Sequence, residues 1–456
     1  MLTDVVEFPR DPVLGDWHAR LDPVNVLVSC RENLQRVAPE LRRSWRACRR
    51  LEALYHPGRQ LQAAYVLLAD PDAPPERQWP EGQIVYLRAP VRRPISGRGE
   101  LLQLDGGEVE AYSFPNDRRL RGIREFAGKA SASAAWQSWI DASSADFTID
   151  PESLQRLLMR YVPEQKWIIR LRAEGRAGAN APIRKRRIAV RCTSTTACVA
   201  LERRHRLFSR NAREQGAAFV IPDVVGCEPS AGLLATEWLR GESLVEALST
   251  GCPHDLMLRV AQALHGFQNM HIHAVGRTAA TPDSLAARVR AAAEDLALAY
   301  PEARADWLGV ADDFAVSAKE LAPAPPVTLH NDFHWNQVTI KSDRVVLLDL
   351  ERVGRGDSLI DVANFVTQIR MLPLRGEAGL SGKAAENIAS AFFGAWERVA
   401  GGPADPYRMR LYSTLSLAEL ARGMMRHVRP GARELALACL ERCGQALGVT
   451  VAGVGR

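Results

Sequence analysis

The spacing of apolar residues changes along the chain. Up to about residue 145, short apolar runs alternate with turn signals, as at Leu61–Leu68 before a stretch rich in Asp and Pro, and at Leu101–Leu104 before Asp105-Gly106-Gly107. This pattern predicts a small, mostly β region, with a helix at Val37–Leu54. From about residue 150 the pattern becomes strand, helix, strand. After about residue 240, the 3.6-residue period predicts helices at 255–270, 282–298, 384–399, 406–427 and 433–447. We therefore expect an α+β fold with separate lobes.

Two stretches of the first half resemble one another. Residues 50–60 and 155–165 each run through a helix-like pattern into a Tyr-x-Pro turn and then into a strand. The tyrosines, Tyr55 and Tyr161, lie 106 positions apart. Two copies are fewer than a solenoid requires. The likeness is consistent with a duplicated β-turn-β element and also with coincidence.

The composition is that of an ordinary soluble globular protein. Of the 456 residues, 46% are hydrophobic and 25% are charged, which excludes a disordered or fibrous chain. The eight cysteines have no CxxC spacing, as expected for reduced thiols and not for a disulfide framework or a zinc site. No apolar run approaches the roughly 18 residues of a membrane-spanning helix, and the first residues lack an apolar signal segment. We expect a cytoplasmic protein without a membrane partner.

The net charge of +6 is a weak indication of function. A nucleic-acid partner would be favoured by the basic pI alone, but no block of Lys and Arg is longer than the four residues 184–187. Only six of the 59 basic residues are lysines. We expect no nucleic-acid partner, and few candidates for a lysine that binds phosphate.

Candidate chemistry is concentrated in residues 327–365. A short strand leads into a polar loop with Asp332 and, five residues later, Gln337; a second apolar strand ends at Asp349. Phosphoryl transfer needs a carboxylate to orient the attacking hydroxyl, and carboxylate and amide oxygens to hold Mg²⁺. Asp332 is the natural base, and Gln337 and Asp349 are the natural metal ligands. The alternative is a β-hairpin with a polar tip and ordinary surface acids.

The motif at residues 330–337, His-Asn-Asp-Phe-His-Trp-Asn-Gln, resembles the catalytic loop of aminoglycoside phosphotransferase-like kinases, which is His-Gly-Asp followed by four residues and Asn. The segment 347–361, with its strand-terminal Asp349, resembles the metal-binding strand and following helix of that family. Two positions depart from the pattern, because Asn331 replaces Gly and Gln337 replaces Asn, with Asn336 one step earlier. Gln337 together with Tyr55–Arg59 is similar to the maltokinase-like branch, in which an extra N-terminal cap precedes the kinase lobes.

The resemblance implies a bilobal protein-kinase-like fold and an ATP- and Mg²⁺-dependent kinase. It implies an N-terminal α/β cap domain at 1–148, a nucleotide-binding N-lobe at 149–240, and a helical C-lobe at 241–456. Asp332 and His330 would be catalytic, with the metal held by Gln337 and Asp349. The acceptor would be a hydroxyl of a small, sugar-like molecule.

The nucleotide-binding residues are also implied by resemblance. The segment 233–242 is similar to the family's hinge, which makes Glu237 and Trp238 the expected neighbours of adenine. The end of the strand 184–191 resembles the kinase Val-Ala-Ile-Lys strand, with Arg191 in place of the lysine. Glu202 on the next helix is the expected partner of Arg191. Lys166 follows a glycine-free turn where the phosphate-covering hairpin belongs, and we expect it to contact a phosphate.

Two alternatives remain at this level. One is an aminoglycoside O-phosphotransferase, although a cationic substrate is usually surrounded by acids and the C-terminal region carries several arginines: Arg410, Arg422, Arg426 and Arg429. The other is a nucleotide-binding pseudokinase or regulatory module, suggested by Arg191, by Asn331 and by the glycine-free turn. The presence of Asp332, Gln337 and Asp349 favours the active kinase.

Overall fold

The structure is a computed structural model. It describes residues 11, 14, 22–37, 45–69, 84–91, 99–104, 107–143, 146–178, 180–250, 253–270, 272, 280–377, 379–449 and 451. Within these ranges every helix is too short or too polar to cross a membrane.

The first part of the chain is a helix and an antiparallel sheet of five strands. Helix α1 is Pro23–Val37, and the strands are β1 (Ala47–His56), β2 (Gln60–Leu68), β3 (Ile84–Ala89), β4 (Glu100–Leu104) and β5 (Gly107–Ser113). Their order in the sheet is β1-β2-β3-β5-β4. We call this the first sheet. It confirms the mostly β character expected of this region.

The helix predicted at Val37–Leu54 is wrong over the described residues. Helix α1 ends at Val37, and residues 47–56 are strand β1; residues 38–44 lie outside the described ranges. Leu, Ala, Arg and Glu have good intrinsic helix propensity, but pairing with a neighbouring strand overrides it. Ala47 lies opposite Leu68 and His56 opposite Gln60, so the whole segment pairs with β2.

The second part of the chain repeats this arrangement. Helices α2 (Ile123–Ala127) and α3 (Lys129–Ala142) precede strands β6 (Thr148–Ile149), β7 (Gln155–Val162), β8 (Lys166–Arg176) and β9 (Arg184–Cys192), helix α4 (Thr195–Glu214), and strands β11 (Val224–Glu228) and β12 (Leu233–Glu237). The order is β7-β8-β9-β12-β11, with β6 beside β7 along the edge of β8. Five strands of this second sheet therefore match the order of the first, and the second sheet differs by the additional strand β6 and the insertion of α4.

One hydrogen-bonded motif occurs in both sheets. In each copy an aspartate carboxylate accepts hydrogen bonds from a tyrosine hydroxyl and from the backbone N–H of a turn residue. The two sets are Asp11, Tyr55 and Gly58, and Asp117, Tyr161 and Glu164. The carboxylate-to-hydroxyl distances are 2.7 and 2.8 Å, and corresponding residues lie 106 positions apart. The motif supports the duplicated β-turn-β element, whereas the helix-like pattern before each turn is in fact a strand.

The rest of the chain is mostly helical around a small mixed sheet. The helices are α5 (Leu244–Thr250), α6 (Pro253–Gln268), α7 (Pro282–Ala299), α8 (Arg304–Lys319), α9 (Leu359–Met371), α10 (Gly382–Ala400), α11 (Pro406–Arg426) and α12 (Ala432–Leu447). The strands β10 (Phe219–Val220), β13 (Glu242–Ser243), β15 (Val338–Lys341) and β16 (Arg344–Leu347) form one sheet, and β14 (Val327–Leu329) pairs with β17 (Gly354–Gly356). All five predicted helices are confirmed within a few residues.

The first sheet is buried on both faces. Tyr65 and Leu87 belong to the apolar core shared with the C-terminal helices, whereas Ala64 and Tyr86 belong to the core of the second sheet. Successive residues of a strand point to opposite faces, so each strand contributes to both cores. The first sheet thus lies between the second sheet and the C-terminal helices.

We predict that Asp117→Ala lowers the free energy of unfolding by about 3 kcal/mol. The substitution leaves the buried Tyr161 hydroxyl and the Glu164 N–H without their acceptor, and each such loss costs about 1–3 kcal/mol. Urea denaturation followed by tryptophan fluorescence measures the change. Asp141→Ala is the control, because Asp141 is exposed and accepts one hydrogen bond, from Gln137. A loss below 1 kcal/mol for Asp117→Ala contradicts the prediction.

Candidate active site

Helix α9 holds the loop that carries Asp332 through hydrogen bonds to the loop backbone. Asp361, in the first turn of α9, is fully buried and accepts hydrogen bonds from the backbone N–H groups of His330 and Asn331, both at 2.8 Å. Burial raises the pKa of Asp361 to about 6. One turn later, the Asn364 side chain donates to the carbonyl of Phe333 at 3.0 Å. Helix α9 therefore sets the backbone path on both sides of Asp332.

Asn331 explains one departure from the family motif. Its φ is +59°, in the left-handed region that favours glycine and tolerates asparagine. Its side chain donates to the carbonyl of Arg352 at 3.1 Å. Asparagine thus supplies the conformation that glycine provides in the motif, and adds a hydrogen bond to the segment after Asp349.

His330 lies in the core and does not line the cleft. It is fully buried, its Nε2 is 2.8 Å from the carbonyl oxygen of Leu348, and its ring packs between Phe267 and Phe333. The imidazole therefore joins the Asp332 loop to the residue before Asp349. In this position it acts on the geometry of the two aspartates and not on a substrate.

Asp332 is the exposed carboxylate of the loop, with 31% of its side chain accessible. One oxygen is 4.0 Å from His334 Nε2 and 3.8 Å from Arg352 Nη1. Nδ1 of His334 is 3.2 Å from the Asn336 nitrogen, and Nε2 is 3.3 Å from the Gln337 side-chain nitrogen; a neutral ring accepts a hydrogen bond at only one of the two. Burial lowers the pKa of His334 to about 4, which keeps the ring neutral near pH 7. The sequence analysis missed both neighbours, since neither belongs to the motif positions it used.

Gln337 and Asp349 come together through the β15–β16 hairpin. Val338 is opposite Leu347, and the Leu348 N–H donates to the Gln337 carbonyl at 2.9 Å, which places Gln337 beside the residue before Asp349. The Gln337 side-chain amide is 3.3 Å from His334 Nε2. Asn336 is exposed, whereas Gln337 is half-buried in the site. Of the two amides, Gln337 is the one next to Asp349.

Two cations of the second sheet meet the carboxylates after β16. Arg191 binds Asp349 at 3.3 Å and also pairs with Glu351; Lys166 Nζ lies 3.7 Å from Asp349 and 3.3 Å from Glu351. Burial alone would raise the pKa of Asp349, but Arg191 and Lys166 lower it to about 2. Burial lowers the pKa of Lys166 to about 8, although Asp349 opposes this shift. We call these four residues the interlobe ion cluster. Glu351 was not anticipated from the sequence.

The side chains of β9 alternate between its two faces. Arg187, Ala189 and Arg191 are half-buried and alternate with the fully buried Ile188 and Val190. Arg191 thus points from the sheet toward the catalytic loop, as the strand pattern requires.

The predicted ion pair between Arg191 and Glu202 is wrong. Glu202 pairs instead with Arg206 at 2.6 Å, four residues later on α4. That partner lies one helical turn away, and Arg191 is already engaged by Asp349 and Glu351. Helix α4 contacts the site through Arg204, which donates to the carbonyl of Glu351 at 2.6 Å.

The hinge segment follows β12 at the edge of β9. The Glu237 N–H donates to the carbonyl of Asp223 at 2.9 Å, and the Trp238 N–H donates to the carbonyl of Arg187 at 3.3 Å. The Arg170 guanidinium lies over the Trp238 ring, 5.3 Å from its centroid. Glu237 is exposed and Trp238 is half-buried. Glu237 lies opposite Ile188, and Trp238 bonds to Arg187, so both residues lie beside this part of β9.

The turn between β7 and β8 is anchored in the first sheet. Glu164 adopts a left-handed φ of +59°, and only 4% of its side chain is exposed. Its carboxylate accepts from the Tyr86 hydroxyl and from Arg118 at 3.0 Å, and lies 3.5 Å from Arg88. Burial would raise the pKa of Glu164, but these partners lower it. The turn that precedes Lys166 is therefore held by a buried ion cluster.

Residues 184–409 match the model of the phosphotransferase enzyme family, APH. Comparison with curated proteins gives no match.

Several solved structures resemble this one. Aminoglycoside phosphotransferase APH(4)-Ia is 17% identical, over 69% of this chain and 98% of its own, with a TM-score of 0.45. Amicoumacin kinase hAmiN is 11% identical, over 70% of this chain and 96% of its own, with a TM-score of 0.47. A choline/ethanolamine kinase family protein from Mesorhizobium loti is 19% identical, over 61% of this chain and 85% of its own, with a TM-score of 0.39.

The matched segment contains the main elements of the site. Arg191 on β9, the loop with Asp332 and Gln337, and the strand-terminal Asp349 all lie within it, whereas Lys166 and the first sheet lie before it. The expected α+β, protein-kinase-like fold and the expected family are therefore confirmed. Residues 184–409 of this chain thus match the phosphotransferase enzyme family.

Proposed function

We propose that this protein transfers the γ-phosphoryl group of ATP to a hydroxyl of a small, sugar-like acceptor. Transfer to a hydroxyl is the activity expected of the family. The observation that carries the proposal is the position of Asp332, an accessible carboxylate on a loop whose backbone is fixed by Asp361 and Asn364. A rigidly held carboxylate is what orientation of an attacking hydroxyl requires.

Asp332 would accept the proton of the acceptor hydroxyl. Arg352 Nη1 and His334 Nε2 lie near the same oxygen of its carboxylate, at 3.8 and 4.0 Å. Because burial lowers the pKa of His334 to about 4, Arg352 is the charged neighbour of Asp332 near pH 7. Together they would hold the carboxylate in one orientation toward the acceptor.

The residues beside Asp332 fit a divalent cation, which we propose to be Mg²⁺. Asp349 stays ionised at any pH above about 2, and Gln337 offers an amide oxygen beside it. Magnesium is usually held by one or two protein groups together with phosphate oxygens. When bound, the ion would neutralise charge on the phosphates that it bridges. The described residues contain no cluster of three or more His, Cys, Asp or Glu that would form an all-protein cage.

Arg191 and Lys166 are the proposed phosphate ligands. Both are half-buried and already bind carboxylates, so an entering triphosphate would exchange one anion for another. Glu237 and Trp238 are the proposed neighbours of adenine, through the backbone of the hinge and the Trp238 ring. Glu202, which pairs with Arg206, has no proposed role in nucleotide binding.

A sugar-like acceptor is favoured over an aminoglycoside by charge. An aminoglycoside is a polycation and needs an acidic site. Glu419 lies near Asp332, but it is shared by Arg288 and Arg352, so the carboxylate is already neutralised. The maltokinase-like features, Gln337 and the turn Tyr55–Arg59, support the same choice.

We predict that Asp332→Asn lowers kcat at least about 1,000-fold while the Kd for ATP changes less than threefold. The amide cannot accept the hydroxyl proton, whereas the nucleotide ligands stay in place. ADP release over a panel of sugars measures kcat, and calorimetry measures ATP binding. Asp343→Asn is the matched control, because Asp343 lies in the exposed turn of the β15–β16 hairpin. Wild-type turnover in Asp332→Asn would exclude this residue as the base; ATP binding without turnover by the wild type would favour a pseudokinase.

We predict that kcat/KM for ATP falls as the pH rises above about 8. Lys166, with its pKa of about 8, is protonated below that pH and loses its positive charge above it. The profile of kcat/KM reports groups of the free enzyme, where this pKa applies. In Lys166→Arg the charge persists to higher pH, so the alkaline fall disappears even if the plateau is lower. An unchanged alkaline fall in Lys166→Arg means that another group titrates there.

A further inference from the structure

Charged side chains run from Asp332 along the facing surfaces of helices α7 and α11. Arg352 lies 3.8 Å from Asp332 and 3.4 Å from Glu419 on α11. Glu419 also binds Arg288 on α7 through two hydrogen bonds of 2.8 Å. Burial would raise the pKa of Glu419, but the two arginines lower it. At this end, two arginines face two carboxylates, and the formal charges balance.

The other end of the row has a different charge balance. Arg422 and Arg426, one and two turns beyond Glu419 on α11, share the single carboxylate of Asp295 at 2.6 and 2.7 Å. The next carboxylate, Glu52 on β1, is shared by Arg429 at 3.2 Å, His427 at 3.3 Å and Arg160 at 3.6 Å.

The turn between β1 and β2 lies beside Arg426, at the end of the row away from Asp332. Its exposed Arg59 has no ion-pair partner among the described residues, and its charge acts on both His56 and Arg426. Asp11 also faces this turn and is occupied by the N–H groups of Leu14 and Gly58 and the hydroxyl of Tyr55. Burial, together with the charge of Arg426, lowers the pKa of His56 to about 4, so the imidazole adds no positive charge near pH 7.

The far end therefore has an excess of positive charge. Among the residues that the structure describes, its five guanidiniums exceed its three carboxylates by two; the members are Arg59, Arg160, Arg422, Arg426 and Arg429, against Asp11, Asp295 and Glu52. Arg426 is only 26% exposed, and its buried Nε–H has no hydrogen-bond partner within the described part of the chain. Burial, together with the charges of Arg422 and Arg59, lowers its pKa although Asp295 opposes the shift. A half-buried cation with an unused donor is best satisfied by an anion.

We propose that this end of the row is a subsite for an anionic group on the acceptor, a phosphate ester or a carboxylate, bound by Arg422, Arg426 and Arg59. The inference rests on the proposed function, because it assumes that the acceptor's reacting hydroxyl lies at Asp332. Seven residues of helix separate Glu419 from Arg426, about 10 Å along α11. The acceptor is thus a hydroxylated molecule with its anionic group away from the hydroxyl that is phosphorylated.

The subsite also gives the first sheet a function. Arg59 belongs to the β1–β2 turn, whose conformation is set by the Asp11 hydrogen bonds to Tyr55 and Gly58. The corresponding turn of the second sheet precedes Lys166, at the proposed phosphate end of ATP. The two copies of one turn would then serve the two substrates, one at the nucleotide and one at the acceptor.

Acceptor preference tests the subsite directly. ADP release is measured with ATP and four matched compounds: glucose, glucose 6-phosphate, gluconate and glucosamine. We expect kcat/KM to be at least tenfold higher for glucose 6-phosphate or gluconate than for glucose, and lowest for the cationic glucosamine. If only glucose 6-phosphate is preferred, the subsite binds a phosphate ester; if only gluconate is preferred, it binds a carboxylate. Equal use of glucose and both anionic compounds overturns the proposal.

Variants test the residues. In the double variant Arg422→Gln, Arg426→Gln, the KM of the anionic acceptor is expected to rise at least tenfold, with kcat and the KM for ATP within threefold of the wild type. Arg410→Gln is the matched control, since Arg410 is an exposed arginine on the same helix that contacts the Tyr407 ring. If the double variant does not fold, as judged by its melting temperature, Arg59→Gln replaces it, with an expected rise of at least threefold. An equal loss for glucose and glucose 6-phosphate overturns the proposal.

Direct binding separates this inference from the proposed function. If none of the four compounds supports ADP release, the sugar-kinase assignment fails, and calorimetry with glucose 6-phosphate judges the subsite alone. Binding that is at least tenfold tighter than that of glucose, and is lost in the arginine variants, supports the subsite. Equal binding of the two compounds overturns it.

Discussion

The interlobe ion cluster is the interaction on which the rest of the site depends. Arg191 and Lys166 come from neighbouring strands of the second sheet, and Asp349 and Glu351 come from the segment after β16. All four side chains are at least half-buried, and a charge left there without its partner is costly. The pairing therefore fixes where the second sheet lies above the catalytic loop. It also lowers the pKa of Asp349, and it partly offsets the effect of burial, which lowers the pKa of Lys166 to about 8.

Several departures from the family pattern compensate one another around this cluster. A flexible glycine turn is absent between β7 and β8, and Glu164 is instead anchored among Tyr86, Arg88 and Arg118 of the preceding segment. A fixed turn gives Lys166 a fixed starting point two residues later. An arginine on β9, where the family pattern has a lysine, and a lysine on the neighbouring strand β8 both reach Asp349. The buried ion cluster at Glu164 in turn ties the second sheet to the first sheet.

The sequence predicts the site residues that lie close together along the chain. It does not predict contacts between residues that are far apart in sequence. Asp332, Gln337 and Asp349 lie within 18 residues, and their spacing alone predicts a shared site. Glu351 and Glu164 were missed because their partners lie far away in sequence, at Arg191 and Tyr86. The sequence predicts a helix where residues 47–56 form a strand. The pairing with β2 determines this conformation, and the residue types of the segment alone do not indicate that pairing. The predicted pairing of Glu202 with Arg191 is wrong for the opposite reason, because Glu202 pairs with Arg206, which is only four residues away on the same helix.

The exchange of partners in the ion cluster gives a physical reason for an arginine at position 191. Its guanidinium presents separate nitrogens to Asp349 and Glu351 at once, which a lysine ammonium does less well because it is a point charge. If a triphosphate displaced one carboxylate, as proposed, the second contact would remain, so Arg191 would keep an anionic partner during the exchange. Burial lowers the pKa of Lys166 to about 8 and Asp349 opposes this shift, so the charge of Lys166 depends on the anions beside it. The proposed phosphate binding would therefore be divided between a guanidinium that contacts two anions at once and an ammonium whose charge depends on pH and on its neighbours.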